Sequence, residues 1–169
     1  MPSHDSALEQ LQRQVQLLMD EREITRVLLA LSRTVDEKDF DGLAALYAAD
    51  GKLDLPWGGH SGRKGLADFV SKDLGHFPSL HHVGAGHEIY VEPGASTATA
   101  RMTLLATHVN DDEGKDFTTV GGYYDVELVR EEGQWRLKRV SPRPQWRFNS
   151  ASHVQDVSSS NSARWIPEK

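Results

Sequence analysis

The order of local patterns along the chain constrains its fold more than any single motif does. Helical patterns fill most of the first half, and strand patterns separated by short turns fill the second half from His81 onwards. Parallel strands need a crossover, commonly a helix, between them, and the second half carries no helical pattern. The order therefore predicts an α+β fold in which N-terminal helices pack on an antiparallel sheet.

Helical signals dominate the first 74 residues. Apolar residues at helical spacing over Ser6–Asp20 predict an amphipathic N-terminal helix, which can pack on the domain or on a partner subunit. Asp20 followed by Glu23 is typical of a capping box, so a second helix is predicted to begin at Asp20 and to end near Asp36. The further elements predicted here are a helix over 42–49, a strand over 51–56, a turn-rich connection over 57–62 and a helix over 63–74 capped by Ser61.

Strand signals and turns alternate in the rest of the chain. The predicted strands cover residues 81–92, 97–109, 117–130 and 135–140. No repeat or linker divides the chain, so residues 1–150 are expected to form a single domain. Residues 151–169 are rich in Ser and Asn and are expected to form a polar C-terminal tail.

Composition excludes several classes of function. The formal net charge is −6 and the basic residues are dispersed, so neither nucleic acid nor a membrane surface is an expected partner. The chain has no cysteine, which excludes disulfides, thiolate metal sites and a cysteine nucleophile. No apolar run approaches the roughly 18 residues of a membrane span, and the N-terminus lacks the layout of a signal peptide. A cytoplasmic location is the expectation.

The stretch Leu80–Glu88 is the first candidate for chemistry, because it holds three histidines and a carboxylate. Histidine is the side chain best suited to exchange protons near neutral pH. Asp36 follows an apolar helix face and has no capping function. We interpret Asp36 as the group that accepts a proton from the His82 ring, orients the ring and raises its basicity. The alternative is a structural histidine hydrogen-bonded within a sheet.

A metal site at the same histidines is not favoured. His81 and His82 are adjacent on a predicted strand and would point to opposite faces. His82 and His87 differ by five positions, which also separates them unless a bulge intervenes. No metal ligand is therefore assigned.

Other side chains could complete a pocket. His108, near the end of the long strand, could donate to a leaving group or to a carbonyl, and the hydroxyl of Tyr124 could polarise a carbonyl. Arg130 and Arg143 could bind an acidic substrate group. The tryptophans that could line an apolar pocket are Trp57, Trp135 and Trp146. For each residue the alternative is ordinary packing or surface exposure.

Six short segments together resemble a known family. They are Val35–Phe40, Leu46–Gly51, Ser61–Arg63, His82–Gly84, Gly121–Asp125 and Gly133–Leu137. In order and spacing they resemble SnoaL-like proteins of the nuclear-transport-factor-2-like superfamily, which also includes scytalone dehydratase, bile-acid 7α-dehydratase and hexachlorocyclohexane dehydrochlorinase. The resemblance implies a cone-shaped α+β barrel, with three to four N-terminal helices on a strongly curved antiparallel sheet around an apolar cavity.

The resemblance also implies roles for particular residues. In the dehydratase-type relatives an Asp–His pair abstracts a proton without a cofactor, and that pair falls on Asp36 and His82. The second histidine of scytalone dehydratase matches His108. The arginine that helps the leaving group in the dehydrochlorinase matches Arg130, and one in the bile-acid enzyme falls close to Arg143.

The chain departs from scytalone dehydratase at several positions, and the Ser/Asn pair that orients the substrate water of that enzyme falls at about Gly122 and Tyr124 here. Two tyrosine positions of that enzyme are Val35 and Leu55 here, so Leu55 becomes an apolar substrate-binding candidate and the substrate should differ.

The expected function is that of a cofactor-independent lyase or isomerase of the dehydratase type. The substrate is expected to be a small apolar organic molecule, either cyclic or polyketide- or steroid-like. Two alternatives share the fold: a non-catalytic small-molecule-binding module and the small subunit of a ring-hydroxylating dioxygenase. A homo-oligomer is expected, with a trimer favoured over a dimer.

Overall fold

The computed structural model describes residues 4–150, which form three helices and six strands. The helices are α1 (His4–Asp36), α2 (Phe40–Ala45) and α3 (Leu66–Leu74). The strands are β1 (Tyr47–Leu55), β2 (Gly58–Ser61), β3 (Ser79–Tyr90), β4 (Thr97–Val109), β5 (Phe117–Glu131) and β6 (Gln134–Asn149). The tail predicted over 151–169 lies outside the described residues.

The strands form one curved sheet in the order β2-β1-β6-β5-β4-β3. Strands β3 to β6 are antiparallel neighbours in chain order, and the predicted α+β fold is confirmed. The sheet differs from the expectation in two details. It is mixed, because one edge of β1 pairs with the hairpin partner β2 and the other edge pairs in parallel with β6. It is also not closed, since β2 and β3 are its two edges.

Helix α1 is continuous through the predicted break at Asp20. No glycine or proline interrupts it. The Asp20 carboxylate is buried and accepts hydrogen bonds from Arg130 and from Trp135. The predicted capping box is therefore wrong, because tertiary partners use the carboxylate that a helix start would have used.

The two halves of α1 have different surroundings. The C-terminal half buries one apolar face against the sheet, and that face comprises Ile24, Leu28, Leu31 and Val35. The N-terminal half exposes an apolar stripe formed by Leu8, Leu11, Val15 and Leu18. No helix within residues 4–150 combines the length and apolar character that a membrane span requires. Homo-oligomerisation stays a prediction.

Three further boundaries differ from the sequence prediction. Helix α2 ends at Ala45 because Tyr47 opens β1 and is buried in the core. The turn-rich segment contains β2, and α3 begins after Gly65, which lies in the left-handed region (φ 80°), rather than at a Ser61 cap. Strand β6 continues to Asn149, nine residues beyond the predicted end at Val140.

The concave face of the sheet forms the core together with α1. Along β4 the buried residues alternate without interruption: Ala98, Ala100, Met102, Leu104 and Ala106. This period of two predicted the strand correctly. The pattern places His108 on the same face, at the end where the site lies.

Candidate active site

An apolar cavity of about 130 Å³ lies between the concave face, α1, α3 and the β1–β2 turn. Its wall is mostly aliphatic and aromatic, and Val35, Leu55 and Trp57 belong to it. The titratable side chains in its lining are Tyr47, Asp73, His82, His108 and Tyr124. A few polar groups in an apolar pocket are typical of small-molecule sites.

Asp36 and His82 are joined by hydrogen bonds at the edge of this cavity. Nδ1 of His82 lies 2.7 Å from Oδ1 of Asp36, and the backbone N–H of His82 donates to both carboxylate oxygens at 2.9 Å. An ionised carboxylate can only accept, so Nδ1 carries the proton and Nε2 keeps a free lone pair. The side chain of His82 is 7% exposed and that of Asp36 is 23% exposed.

The end of α1 fixes the position of Asp36. The helix closes with Lys38 in the left-handed region (φ 56°), and the N–H of Asp39 donates to the carbonyl of Thr34 at 2.8 Å. A carboxylate at a helix C-terminus meets the negative end of the helix dipole, which is unfavourable. The two donors of His82 offset this cost and hold the carboxylate towards β3.

A β-bulge in β3 changes which histidines share a face. The register against β4 shifts between Ala85 and Glu88, so His82 and the later His87 both fall on the concave side. His81 points outwards and is 72% exposed, with Nδ1 4.0 Å from Oδ2 of Asp36. Even so, residues 4–150 contain no group of three side chains arranged to hold a metal ion.

Burial and Asp36 act in opposite directions on His82. Burial lowers the pKa of the imidazole and outweighs the raising effect of the Asp36 hydrogen bond and charge. The sequence predicted that Asp36 raises the basicity of this ring. Asp36 does raise the pKa of His82, but burial lowers it by more, so the resulting pKa lies below the ordinary histidine value. His82 is therefore neutral near pH 7, with a lone pair available at Nε2.

His108 stands beside His82, with ring centroids 5.4 Å apart. Burial, followed by the charge of His82, lowers its pKa to about 4. Its Nε2 is buried and has no hydrogen-bond partner within residues 4–150. A neutral His108 can give or accept a hydrogen bond at a substrate oxygen, but it is not a cationic acid at neutral pH.

Two tyrosines line the same cavity. Burial raises the pKa of both Tyr47 and Tyr124, with Asp36 adding to the effect at Tyr124. Both hydroxyls therefore stay protonated and can donate. Tyr47 was missed because it was assigned to a helix, although it falls on the cavity-facing side of β1 with Leu53 and Leu55.

The two predicted substrate-binding arginines do not line the cavity. Arg130 is on the concave face, but it lies about 20 Å along β5 from Tyr124 and binds Asp20. Arg143 opposes Tyr123 on the outer face and lies 3.5 Å from Asp125. The expected placement of both arginines is therefore wrong.

Arg147 is the arginine that sequence reasoning missed. In β6 a bulge leaves Gln145 without an opposite residue, so the side-chain alternation shifts after Pro144. Arg147 consequently opposes the cavity-lining Val120 and faces an open groove at the cavity mouth. The sequence signal for this bulge was the pair Gly121–Gly122, because neither position has room for a side chain. A Cβ at Gly121 would lie 2.0 Å from the Trp146 ring, and a Cβ at Gly122 would lie 2.2 Å from the Arg143 carbonyl oxygen.

The three tryptophans have different positions. Trp57 is 69% exposed and lies at the mouth of the cavity. Trp135 is buried near Arg130, and Trp146 packs over Gly121 on the outer face.

The open curved sheet and the helices that enclose its cavity define an α+β protein of the NTF2-like class. The chain belongs to the SnoaL-like domain family, whose sequence pattern matches residues 16–141. The curated relatives include the uncharacterized protein Rv2910c of Mycobacterium tuberculosis, which is 27% identical over 124 residues, 72% of this chain and 83% of that protein.

Solved structures agree with this assignment. A scytalone dehydratase-like protein from Novosphingobium aromaticivorans is 25% identical, with a TM-score of 0.71 over 80% of this chain and 90% of its own. The hexachlorocyclohexane dehydrochlorinase LinA-type3 from Novosphingobium barchaimii is 16% identical, with a TM-score of 0.71 over 92% of this chain and 99% of its own. The second likeness is one of fold alone.

Proposed function

We propose that the protein is a cofactor-independent lyase or isomerase that removes a proton from a small apolar cyclic substrate. One observation carries the proposal: Asp36 holds Nδ1 of a neutral, buried His82, which leaves the basic Nε2 for a molecule in the adjoining cavity. The likeness to a scytalone dehydratase-like protein supports the reaction class.

The chemistry follows from the two imidazole nitrogens. Nε2 of His82 takes a proton from a carbon next to a carbonyl, and the ring becomes an imidazolium that the Asp36 carboxylate stabilises. Tyr124, Tyr47 or His108 donates a hydrogen bond to the carbonyl oxygen as negative charge develops there. In an elimination, the carbon–hydrogen electron pair becomes the new double bond as the leaving group departs. In an isomerisation, His82 returns the proton to another carbon.

Proton abstraction can be tested before the natural substrate is identified. The test incubates the enzyme with a panel of cyclic ketones in D₂O and follows loss of the α-proton signal by NMR. Wild type should accelerate exchange above buffer, and His82→Gln should reduce the enzymatic rate by about 10²–10⁴-fold.

The matched control is His81→Gln. His81 is adjacent in sequence and also lies near Asp36, but it points to solvent, so this variant should retain the wild-type rate. Equal exchange by wild type and His82→Gln would remove the catalytic assignment.

A non-catalytic binding module is the second candidate, and the apolar lining favours it. Val35 and Leu55 present only hydrocarbon to the cavity. Under this alternative a cyclic ligand binds tightly, is recovered unchanged and shows no α-proton exchange. The exchange experiment therefore separates the two functions.

A further inference from the structure

The cavity continues into an open groove on the surface. Six residues line both spaces and form the mouth between them: Trp57, Asp73, Leu74, His108, Val120 and Pro144. The outer part of the groove is more polar and includes His76, Asn110, Gln145 and Arg147. A molecule that places one part next to His82 can therefore extend past His108 into this groove.

The size of the cavity limits what can be enclosed. Its volume of about 130 Å³ resembles that of an engineered apolar cavity of about 150 Å³ that binds benzene. One six-membered ring fills such a space. The rest of a larger substrate must lie in the groove.

Arg147 differs from the other strand arginines because its charge has no partner. The guanidinium groups of Arg101, Arg130, Arg136, Arg139 and Arg143 each contact a carboxylate or a backbone carbonyl. Within residues 4–150, the side chain of Arg147 forms neither a salt bridge nor a hydrogen bond. It opposes Val120 on the concave face, so its free donors are available to a molecule in the groove.

Among the residues that line the groove, Arg147 is the permanently charged cation. The charged and titratable groups in its lining are Asp73, His76, His108 and Arg147. Arg147 also contributes to lowering the pKa of His108, so its charge acts at the wall shared with the cavity. Asp73 belongs to α3 on the other side of the mouth.

We propose that the site takes a two-part ligand: a single apolar ring in the cavity and a short side chain whose carboxylate binds Arg147 in the groove. This inference rests on the proposed function for the placement of the ring beside His82. It narrows the substrate class from apolar cyclic molecules to cyclic carboxylic acids. A bidentate guanidinium–carboxylate contact suits this geometry, because one planar group meets another.

Two probes of matched shape test the inference. Binding of 3-phenylpropanoate and of its neutral amide, 3-phenylpropanamide, is measured by calorimetry on the full chain. Wild type should bind the carboxylate about tenfold more tightly than the amide. Arg147→Gln should remove this preference by weakening binding of the carboxylate more than binding of the amide.

Arg143→Gln is the matched control, since Arg143 lies four positions away on the same strand but on the outer face. It should retain the full carboxylate preference. Equal binding of acid and amide by wild type, no detectable binding of either, or an unchanged preference in Arg147→Gln would overturn the inference. Thermal unfolding of Arg147→Gln checks that the exposed substitution leaves the fold intact.

The result of this binding test can be distinguished from the result of the proton-exchange test of the proposed function. The same calorimetry on His82→Gln should show the carboxylate preference whether or not His82 is a catalytic base. If proton exchange depends on His82 while binding ignores Arg147, only this inference fails. If binding depends on Arg147 while exchange ignores His82, only the catalytic proposal fails.

Discussion

Two aspartates on the same helix have different surroundings, and the contrast identifies the candidate site. Asp20 and Asp36 lie sixteen residues apart on α1, about 24 Å along its axis. Both carboxylates face the sheet and accept hydrogen bonds from β-strand residues. They differ in the partner that binds them and in the space beside that partner.

Asp20 lies in a buried and fully packed region. Its carboxylate is 1% exposed and accepts from Arg130, Trp135 and Gln16. Arginine keeps its proton throughout the physiological range, so the partner of Asp20 cannot act as a base there. The adjacent space is filled by the Trp135 ring beneath the guanidinium.

Asp36 is hydrogen-bonded to a histidine that lines the apolar cavity. Its partner His82 is neutral near pH 7 and can accept a proton at Nε2, and a lining of apolar residues surrounds the free side of the imidazole. A carboxylate at a helix–sheet contact is therefore not in itself evidence of catalysis. A partner that can change its charge beside a space large enough for a ligand is the feature that separates the two ends.

The largest expected difference between the two ends is in activity. Asp36→Asn should reduce α-proton exchange by about 10²–10⁴-fold, because the amide no longer orients and stabilises the charged imidazole. Asp20→Asn should leave the rate per folded molecule within about twofold. Exchange rates are normalised to the folded fraction from circular dichroism. A comparable loss in both variants would remove the distinction.

Stability should respond in the reverse order, with a larger loss of unfolding free energy for a substitution at Asp20 than for one at Asp36. Asp20→Ala leaves Arg130 without its buried partner and should lower the free energy of unfolding by about 3 kcal/mol. Asp36→Ala removes acceptors from the His82 N–H groups and should cost about 1 kcal/mol. Urea denaturation measures both. Asp50→Ala, at an exposed carboxylate, is the control and should change little.

His82 and His108, which lie at the Asp36 end of α1, should also make the stability of the protein depend on pH. The pKa of His108 is lowered to about 4 and that of His82 is also lowered, whereas an unfolded histidine titrates near 6.5. The unfolded state therefore binds protons first, and stability should fall as pH decreases from about 6.5 towards 4. Above pH 7 these groups should contribute no slope.

The variant His108→Gln should reduce this fall most. His76→Gln should reduce it less, because the exposed His76 is the smallest of the charges that lower the pKa of His108. Thermal unfolding at intervals between pH 4 and 8 provides the measurement. A midpoint that is independent of pH over this range would contradict the cause assigned to the shift, which is burial of the neutral rings.

The fold was predictable wherever local patterns and tertiary contacts agree. The bounds of β4 matched the prediction because its alternation is uninterrupted and turn signals flank it. The end of β6 was missed because Pro142 and Pro144 argue locally against a strand. Asp20 was misread for a related reason, since its partner Arg130 is 110 positions away.

The candidate site was predictable only in part. Asp36 was identified because the sequence offers it no local function, and the structure places it against His82. Arg147 was not identifiable from alternation, because a bulge opposite Gly121–Gly122 reverses the direction of later side chains. The placement of Arg130 and Arg143 failed because their carboxylate partners, Asp20 and Asp125, depend on the packed sheet.

The most direct test of the Asp36–His82 unit is a histidine-resolved NMR titration of wild type and Asp36→Asn. In wild type, His82 should titrate below the ordinary histidine pKa of 6.5, with its proton on Nδ1 in the neutral form. In Asp36→Asn its pKa should fall further, because the carboxylate that favours the charged form is gone. A His82 that titrates at its ordinary value and does not respond to Asp36→Asn would contradict the account.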